Sequence, residues 1–255
     1  MKITFLGTGT SQGVPVIGCG CNVCTSPDPR DNRLRSSIHI AVDDKSFVVD
    51  TGPDFRQQML REKIKKLDAI LFTHGHKDHT AGLDDVRAFN HWQKRSMPIY
   101  GSRDALDQLK VEYAYAFADK KYPGIPQLDL YELGDETFEI NPVSITPLPV
   151  LHMRLPVLGF RIYDFAYITD ANAIPEETLG KLKGIKTLVL NALQREKHLS
   201  HFNLEEAIAM AKKIGADRTY FTHISHKLDL HQVVERELPE KIFLAFDGLQ
   251  VSVES

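Results

Sequence analysis

Apolar residues recur along this chain in short runs, each closed by glycine, proline or acidic residues. Lys2–Leu6 reads as a strand, and Ser37–Val42 and Phe47–Asp50 as two strands joined through an Asp43-Asp44-Lys45 turn. Pro53 opens a short helix to about Glu62, because proline is tolerated in a first helical turn. Ala69–Phe72 is a short buried strand. Helical spacing follows over Leu83–Lys94, then a strand at Pro98–Tyr100 and an amphipathic helix over Arg103–Phe117. From Leu128 to Ile168 the pattern turns mostly to β, and Pro142, Pro147, Pro149 and Pro156 are expected to mark strand breaks. Beyond it the spacing predicts helices near Pro175–Leu182, Leu204–Ile214 and His231–Glu237. Strands are expected at Thr187–Leu190, Thr219–Thr222, Ile242–Ala245 and Leu249–Val253. Strand and helix signals fill both halves with no linker between them. One α/β domain over residues 1–255 is therefore expected, with two sheets covered by helices.

Composition narrows the class. The 255 residues carry a formal net charge of −3, which argues against a broad nucleic-acid-binding face. No apolar run approaches the ~20 residues that span a bilayer. The N-terminus turns glycine-rich at Gly7, before a signal-peptide core could form, so a cytoplasmic location is expected. Three cysteines close together cannot make a paired disulfide framework, and they read better as ligands.

The densest chemistry is His74-Gly75-His76-Lys77-Asp78-His79, directly behind the Ala69–Phe72 strand. Imidazole and carboxylate are ligands for ions such as Zn²⁺, and a single tetrahedral ion cannot use all four from so short a loop. His74 and His76 are therefore assigned to one ion, and Asp78 and His79 to its neighbour. His152, Asp170 and His223 each follow a β segment as His74 does, and they are candidates to complete both sites. Asp170 is the natural bridge, since a carboxylate offers two oxygens.

The run Leu71-Phe72-Thr73-His74-Gly75-His76-Lys77-Asp78-His79 with Gly82 resembles the signature of the metallo-β-lactamase fold superfamily. The resemblance implies an αββα sandwich with a binuclear site between its sheets. It would place His74, His76 and His152 on the first metal, Asp78, His79 and His223 on the second, and Asp170 between them. Asp50, in Val49-Asp50-Thr51-Gly52, matches an acid that orients the histidine loop. Histidine at position 76, where redox di-iron relatives carry glutamate, favours hydrolysis with Zn²⁺ or Mn²⁺.

Cys19-Gly20-Cys21-Asn22-Val23-Cys24 offers three soft ligands to a structural Zn²⁺, with His226 as the candidate fourth; the zinc-binding loop would span about residues 8–32. Together with Leu6–Pro15, Gly82-Leu83-Asp84-Asp85, Thr222-His223-Ile224-Ser225-His226 and Phe246-Asp247-Gly248, this triplet is similar to the phosphoribosyl cyclic phosphate phosphodiesterase (PhnP-like) subfamily, nearly end to end.

His201, in Ser200-His201-Phe202-Asn203, looks like the proton donor that phosphodiesterases of this fold set near the leaving group, with Glu206 as the residue to hold its ring. His39, His91, His198 and His231 are read as structural. The expected function is hydrolysis of a small phosphodiester, cyclic or linear, by a metal-activated hydroxide, with Asp78 and His201 in the catalytic machinery. Rivals are an acyl, thioester or lactam hydrolase, a tRNA 3′-endonuclease, which would want basic surface, and a non-catalytic metal-binding pathway protein. A homodimer is compatible with the chain.

Overall fold

In β1 (Lys2–Gly7) Ile3 and Phe5 fall on one face, as do Ile38 and Ile40 of β2 (Ser37–Val42) and Phe47 and Val49 of β3 (Lys45–Val49). The intervening Leu6 and Val48 point the other way, into a separate cluster, as the two-residue strand period requires. Asp43 and Asp44, at φ 46° and 61°, form the two-residue turn that joins β2 to β3. Positive φ at both central positions is what a right-twisted hairpin needs, and Asp tolerates it.

The computed structural model describes residues 1–119 and 122–253. The remaining strands are β4 (Ala69–Leu71), β5 (Met97–Gly101), β6 (Leu128–Glu132), β7 (Phe138–Ile140), β8 (Val143–His152), β9 (Leu155–Ile162), β10 (Phe165–Ile168), β11 (Thr187–Asn191), β12 (Arg218–Thr222), β13 (Ile242–Leu244) and β14 (Gln250–Ser252). They form two seven-stranded sheets, ordered β14-β1-β2-β3-β4-β5-β6 and β13-β12-β11-β10-β9-β8-β7. Between them lies one apolar layer, in which Phe5, Ile40, Phe47 and Leu71 meet Ile145, Phe160, Tyr167 and Val189. Helices cover both outer faces. α1 (Phe55–Arg61), α2 (Lys77–Thr80), α3 (Arg87–Gln93), α4 (Arg103–Glu112) and α5 (Ala114–Phe117) lie in the chain of the first sheet. α6 (Glu176–Lys181), α7 (Leu204–Ile214) and α8 (His231–Glu237) belong to the second. The three separate core clusters are those of an αββα sandwich, as expected. Among the described residues no helix is long and apolar enough to cross a membrane.

Three sequence expectations are corrected. Pro147 and Pro149 do not break a strand: β8 runs through both, opposite Phe160 and Leu158 of β9. Its other neighbour, β7, pairs only with Val143–Ile145, so beyond that point β8 has an open side where a missing N–H costs nothing. Pro156 likewise sits within β9 near its start. The predicted Arg103–Phe117 helix is broken at Tyr113 (φ −112°, ψ 35°), whose hydroxyl donates to the carbonyl of Thr80 at 2.8 Å. That bond braces α2, the turn carrying the histidine motif. The Leu83–Lys94 stretch starts as a 3₁₀ turn at Leu83–Val86 before α3.

The long segment after β1 is held by backbone pairing: Gly9 bridges Arg35 and Ile224, and Val14 bridges Arg33. The Arg33 guanidinium is buried and satisfied by Thr8 Oγ1 (2.8 Å), the carbonyl of Ala245 (2.6 Å) and the His231 ring (3.1 Å). His231 is thus structural, as read. His39 is too, through Ser46 Oγ at 2.8 Å.

Two glycines fix how closely the histidine loop approaches β3. The Gly82 amide donates to Thr51 O (2.8 Å) and the Thr51 amide to His79 O (2.7 Å). A Cβ on Gly82 would lie 2.1 Å from the Gly52 carbonyl oxygen, and one on Gly52 would lie 2.2 Å from that of Asp78. Backbone cannot yield to that extent without moving the loop. Gly82→Ala is expected to lower unfolding free energy by about 1–3 kcal/mol, read from urea denaturation of the metal-free protein. A wild-type midpoint would show that the loop does not depend on this approach.

Candidate metal centre

The site grows from Asp50, which leaves β3 at φ 63° and is completely buried. Its Oδ1 accepts the Thr73 amide (2.9 Å), and its Oδ2 accepts the Thr73 hydroxyl (2.8 Å) and the His79 ring at Nδ1 (2.7 Å). Since the carboxylate can only accept, His79 carries a proton on Nδ1, which makes Nε2 the nitrogen it can offer a cation. The Thr73 hydroxyl spends its proton on Asp50, so toward His74 Nδ1, 2.9 Å away, it can only accept. His74 therefore offers its Nε2 as well. His152 donates from Nδ1 to the Ser200 carbonyl (2.8 Å), with the same result. These bonds aim ligand nitrogens rather than merely hold rings in place.

The motif itself is a tight turn. A Cβ on Gly75 would lie 2.2 Å from Gln108 Oε1, so a side chain there would displace the Gln108 amide. His76 precedes α2 in extended conformation, and Asp78 sits in its first turn. The His74, His76 and His152 rings neighbour one another, with centroids 4.5 Å apart for His74–His76, 5.9 Å for His74–His152 and 5.4 Å for His76–His152. Asp78, His79, Asp170 and His223 form a second group, with ligand atoms all within 4.8 Å of one another. Asp170 lies between the groups: its Oδ2 is 3.8 Å from His74 Nε2 and 3.4 Å from His79 Nε2, and its Oδ1 is 2.9 Å from His223 Nδ1. Asp170 and His223 leave their strands at φ 54° and 56°. The left-handed region, tolerated by Asp and His, turns both side chains into the cleft at a cost of order 1–3 kcal/mol each.

Buried polar atoms show what the arrangement needs. His74 Nε2, His79 Nε2, His201 Nε2 and His223 Nδ1 are buried without an aligned hydrogen-bond partner, all around Asp170. Asp50, Asp78 and Asp170 add three carboxylates to this low-dielectric pocket. Burial pushes Asp50 up, whereas His79 and His223 overcome burial to hold Asp78 and Asp170 low. His79 is the converse case: burial opposes its charge, yet Asp170, Asp50 and Asp78 together hold it well above the ordinary histidine range, and a cation at Nε2 would take the place of the second proton. Burial keeps His74 neutral. Unpartnered imidazole nitrogens around surplus buried negative charge are what divalent cations satisfy, so the residues fit a metal pair.

At a separate cluster, Cys19, Cys21 and Cys24 present Sγ at 3.4, 3.4 and 3.5 Å from His226 Nδ1. A tetrahedral ion with Zn–S near 2.3 Å and Zn–N near 2.0 Å has ligand edges of about 3.5 Å. The Cys24 amide and His226 hold the Cys21 thiol down to about 6, while burial pushes Cys24 up to about 11. The segment bearing His226 is zipped to the N-terminal loop by Ile224 N→Thr8 O (2.8 Å) and Thr10 N→Ile224 O (3.1 Å).

His201 lies beside Asp170, with Nε2 3.5 Å from Asp170 Oδ2 and its ring stacked on His223 at 4.9 Å. With His152 and Asp170 it makes a third close group of ligand-type atoms. Glu206 is a correction. Its carboxylate accepts the Asn203 amide (3.1 Å) and its own amide donates to Asn203 Oδ1 (2.8 Å), a capping box on α7, and among the described residues it makes no hydrogen bond to the His201 ring. The groups at His201 Nδ1 are instead Ser200 Oγ (2.9 Å) and His198 Nδ1 (3.2 Å). The sequence reading missed both; the signal available was the three-residue spacing of His198 and His201 across a turn.

A family model described as "Beta-lactamase superfamily domain" matches residues 45–224. An octanoyltransferase of Porphyromonas gingivalis is 40% identical over 257 residues, covering 100% of this chain and 52% of its own, so the chain spans about half that relative's length. The crystal structure of a diphosphatase from the PhnP family superposes with a TM-score of 0.92 at 42% identity, covering 99% of this chain and 98% of that one. Zn²⁺-bound PqqB from Methylobacterium extorquens superposes at 0.81 with 20% identity, covering 99% and 100%, a likeness of fold alone.

Asp50 touches no prospective metal position, yet it sets two ligand tautomers. Asp50→Asn is expected to weaken metal affinity by roughly 10–100-fold, read by chelator competition with Zn²⁺ or Mn²⁺. Unchanged affinity would mean the ligands are aimed by other contacts.

Proposed function

The chain belongs to the beta-lactamase superfamily and, within it, to the PhnP family, and from that premise we propose a dinuclear metal-dependent phosphodiesterase acting on a small, soluble phosphodiester. The observation that carries this reading is the position of His201, whose Nε2 stands 3.5 Å from the Asp170 carboxylate shared by both ligand groups. A proton donor beside the metal pair serves a departing alkoxide, which needs protonation more than a thiolate does.

His74, His76 and His152 would hold one ion, Asp78, His79 and His223 the other, and Asp170 both. A bound divalent pair supplies a water acidified toward neutrality and neutralises the phosphoryl oxygens. The chain's own part is to aim the ligands through Asp50 and Thr73 and to exclude bulk water from the floor of the cleft. His201 then delivers a proton from Nε2 to the leaving oxygen, a role worth about 10²–10⁴ in rate. Zn²⁺ and Mn²⁺ both suit this nitrogen–oxygen donor set. A structural Zn²⁺ on Cys19, Cys21, Cys24 and His226 would pin the segment that carries His223.

A P–O–P linkage is the second reading, favoured by the 42% identity to a PhnP-family diphosphatase. Acyl transfer has weaker support. The octanoyltransferase name belongs to a chain nearly twice as long. All three cysteines that could carry an acyl group sit at the other cluster.

A panel of adenosine 2′,3′-cyclic phosphate, bis(4-nitrophenyl) phosphate, a dinucleoside diphosphate and an acyl thioester separates these readings. His201→Ala is expected to lose about 10²–10⁴ in turnover on the cyclic phosphate while retaining both active-site metals. Wild-type turnover there would remove the assignment. Metal analysis should give three ions per chain, falling to two in Cys21→Ser. Three ions in that variant would overturn the structural-zinc reading.

A further inference from the structure

A general acid needs its proton on the ring nitrogen that faces the substrate, and something on the far side of the ring must keep the other proton in place. At His201 that far side is built. Ser200 Oγ lies 2.9 Å from His201 Nδ1 and 3.2 Å from His198 Nδ1, and the Ser200 amide lies 3.4 Å from the same His198 nitrogen. The two Nδ1 atoms are 3.2 Å apart.

Hydrogen positions follow from what each atom can do. The Ser200 amide can only donate, so His198 Nδ1 is bare and that ring carries its proton on Nε2. The Ser200 hydroxyl then donates its one hydrogen to His198, which leaves its lone pairs toward His201. Two bare nitrogens at 3.2 Å would repel, so His201 Nδ1 is protonated and donates into Ser200 Oγ. The chain of donors runs one way, from the buried His201 through Ser200 to the exposed His198.

We infer that His198, acting through the Ser200 hydroxyl, is a positioning residue that holds the Nδ1 proton of His201 and so commits Nε2 to the leaving group. This rests on the phosphoryl-transfer reading above. In the transfer the Nε2–H bond breaks and an O–H bond forms on the departing alkoxide. His201 gives up its Nε2 proton and keeps its Nδ1 proton, and the water consumed in hydrolysis replaces the proton given up. The acceptor here is a neutral imidazole with a hydroxyl bridge. Among the described residues no carboxylate hydrogen-bonds His201 Nδ1, and Glu206 is committed to the α7 cap.

The test is a leaving-group comparison on the metal-loaded protein. His198→Ala and Ser200→Ala are each expected to lower kcat on adenosine 2′,3′-cyclic phosphate by about tenfold or more, within the ~10²–10⁴ that the acid supplies, with KM unchanged. On bis(4-nitrophenyl) phosphate, whose leaving group needs no proton, both should stay within about twofold of wild type. His198→Asn, whose Oδ1 can accept where Nδ1 did, should recover most of the loss. The Ser200 carbonyl that orients His152 survives in Ser200→Ala, so metal content should not change. Equal losses on both substrates, or none on the cyclic phosphate, would overturn the inference. His201→Ala separates the two levels. Leaving-group dependence in His201→Ala but not in His198→Ala removes the His198 role alone; equal losses in His201→Ala remove the acid assignment beneath it.

Discussion

The buried carboxylate of Asp50 is the contact on which the rest of this structure turns. Taking an unpaired carboxylate out of water is costly, and here the cost is offset by three donors: the amide and hydroxyl of Thr73 and the ring of His79. Those donors join the end of β3 to the histidine turn, so one group locks loop position and ligand tautomer together. Through Thr73 its influence extends to His74, which it does not touch. A carboxylate can impose this because it accepts from every direction and donates in none.

Around that anchor the two sheets divide the work. The first supplies the histidine turn, braced by Tyr113 and by the Gly52–Gly82 approach. The second delivers His152, Asp170 and His223 from the ends of β8, β10 and β12. Asp170 and His223 do so in left-handed backbone conformations that a regular strand would not visit. The strain is sustained because the interleaved apolar layer between the sheets leaves the strand ends no alternative course. The cysteine cluster lies outside this cleft but belongs to the same argument. His226 follows His223 by three residues, and Ile224 between them is paired with Thr8. Fixing the N-terminal loop therefore also fixes a ligand of the cleft.

Much of the site was legible because metal binding is written in residue type and short spacing. His-x-His-x-Asp-His and Cys-x-Cys-x₂-Cys name their chemistry wherever they fold, and the placement of His152, Asp170 and His223 after apolar runs marked strand ends. α7 and α8 have the bounds that the periodicity predicts. The errors share one cause. Pro147 and Pro149 looked like strand breakers, but whether a missing N–H matters depends on whether a neighbour reaches that point, and β7 stops short. The Arg103–Phe117 periodicity is continuous, but Tyr113 breaks it to reach a carbonyl far away in sequence.

The sequence by itself determined the fold class and the family, because each rests on local residue identity and period. Only the tertiary structure decided which donors are free to act. Glu206 looked available to His201 until its carboxylate was found closing a helix cap. His198 looked idle until its bare nitrogen was found behind Ser200. A hydrogen-bonding group has few lone pairs and fewer protons, and what it does in the site is set by which of them the surrounding backbone has already used.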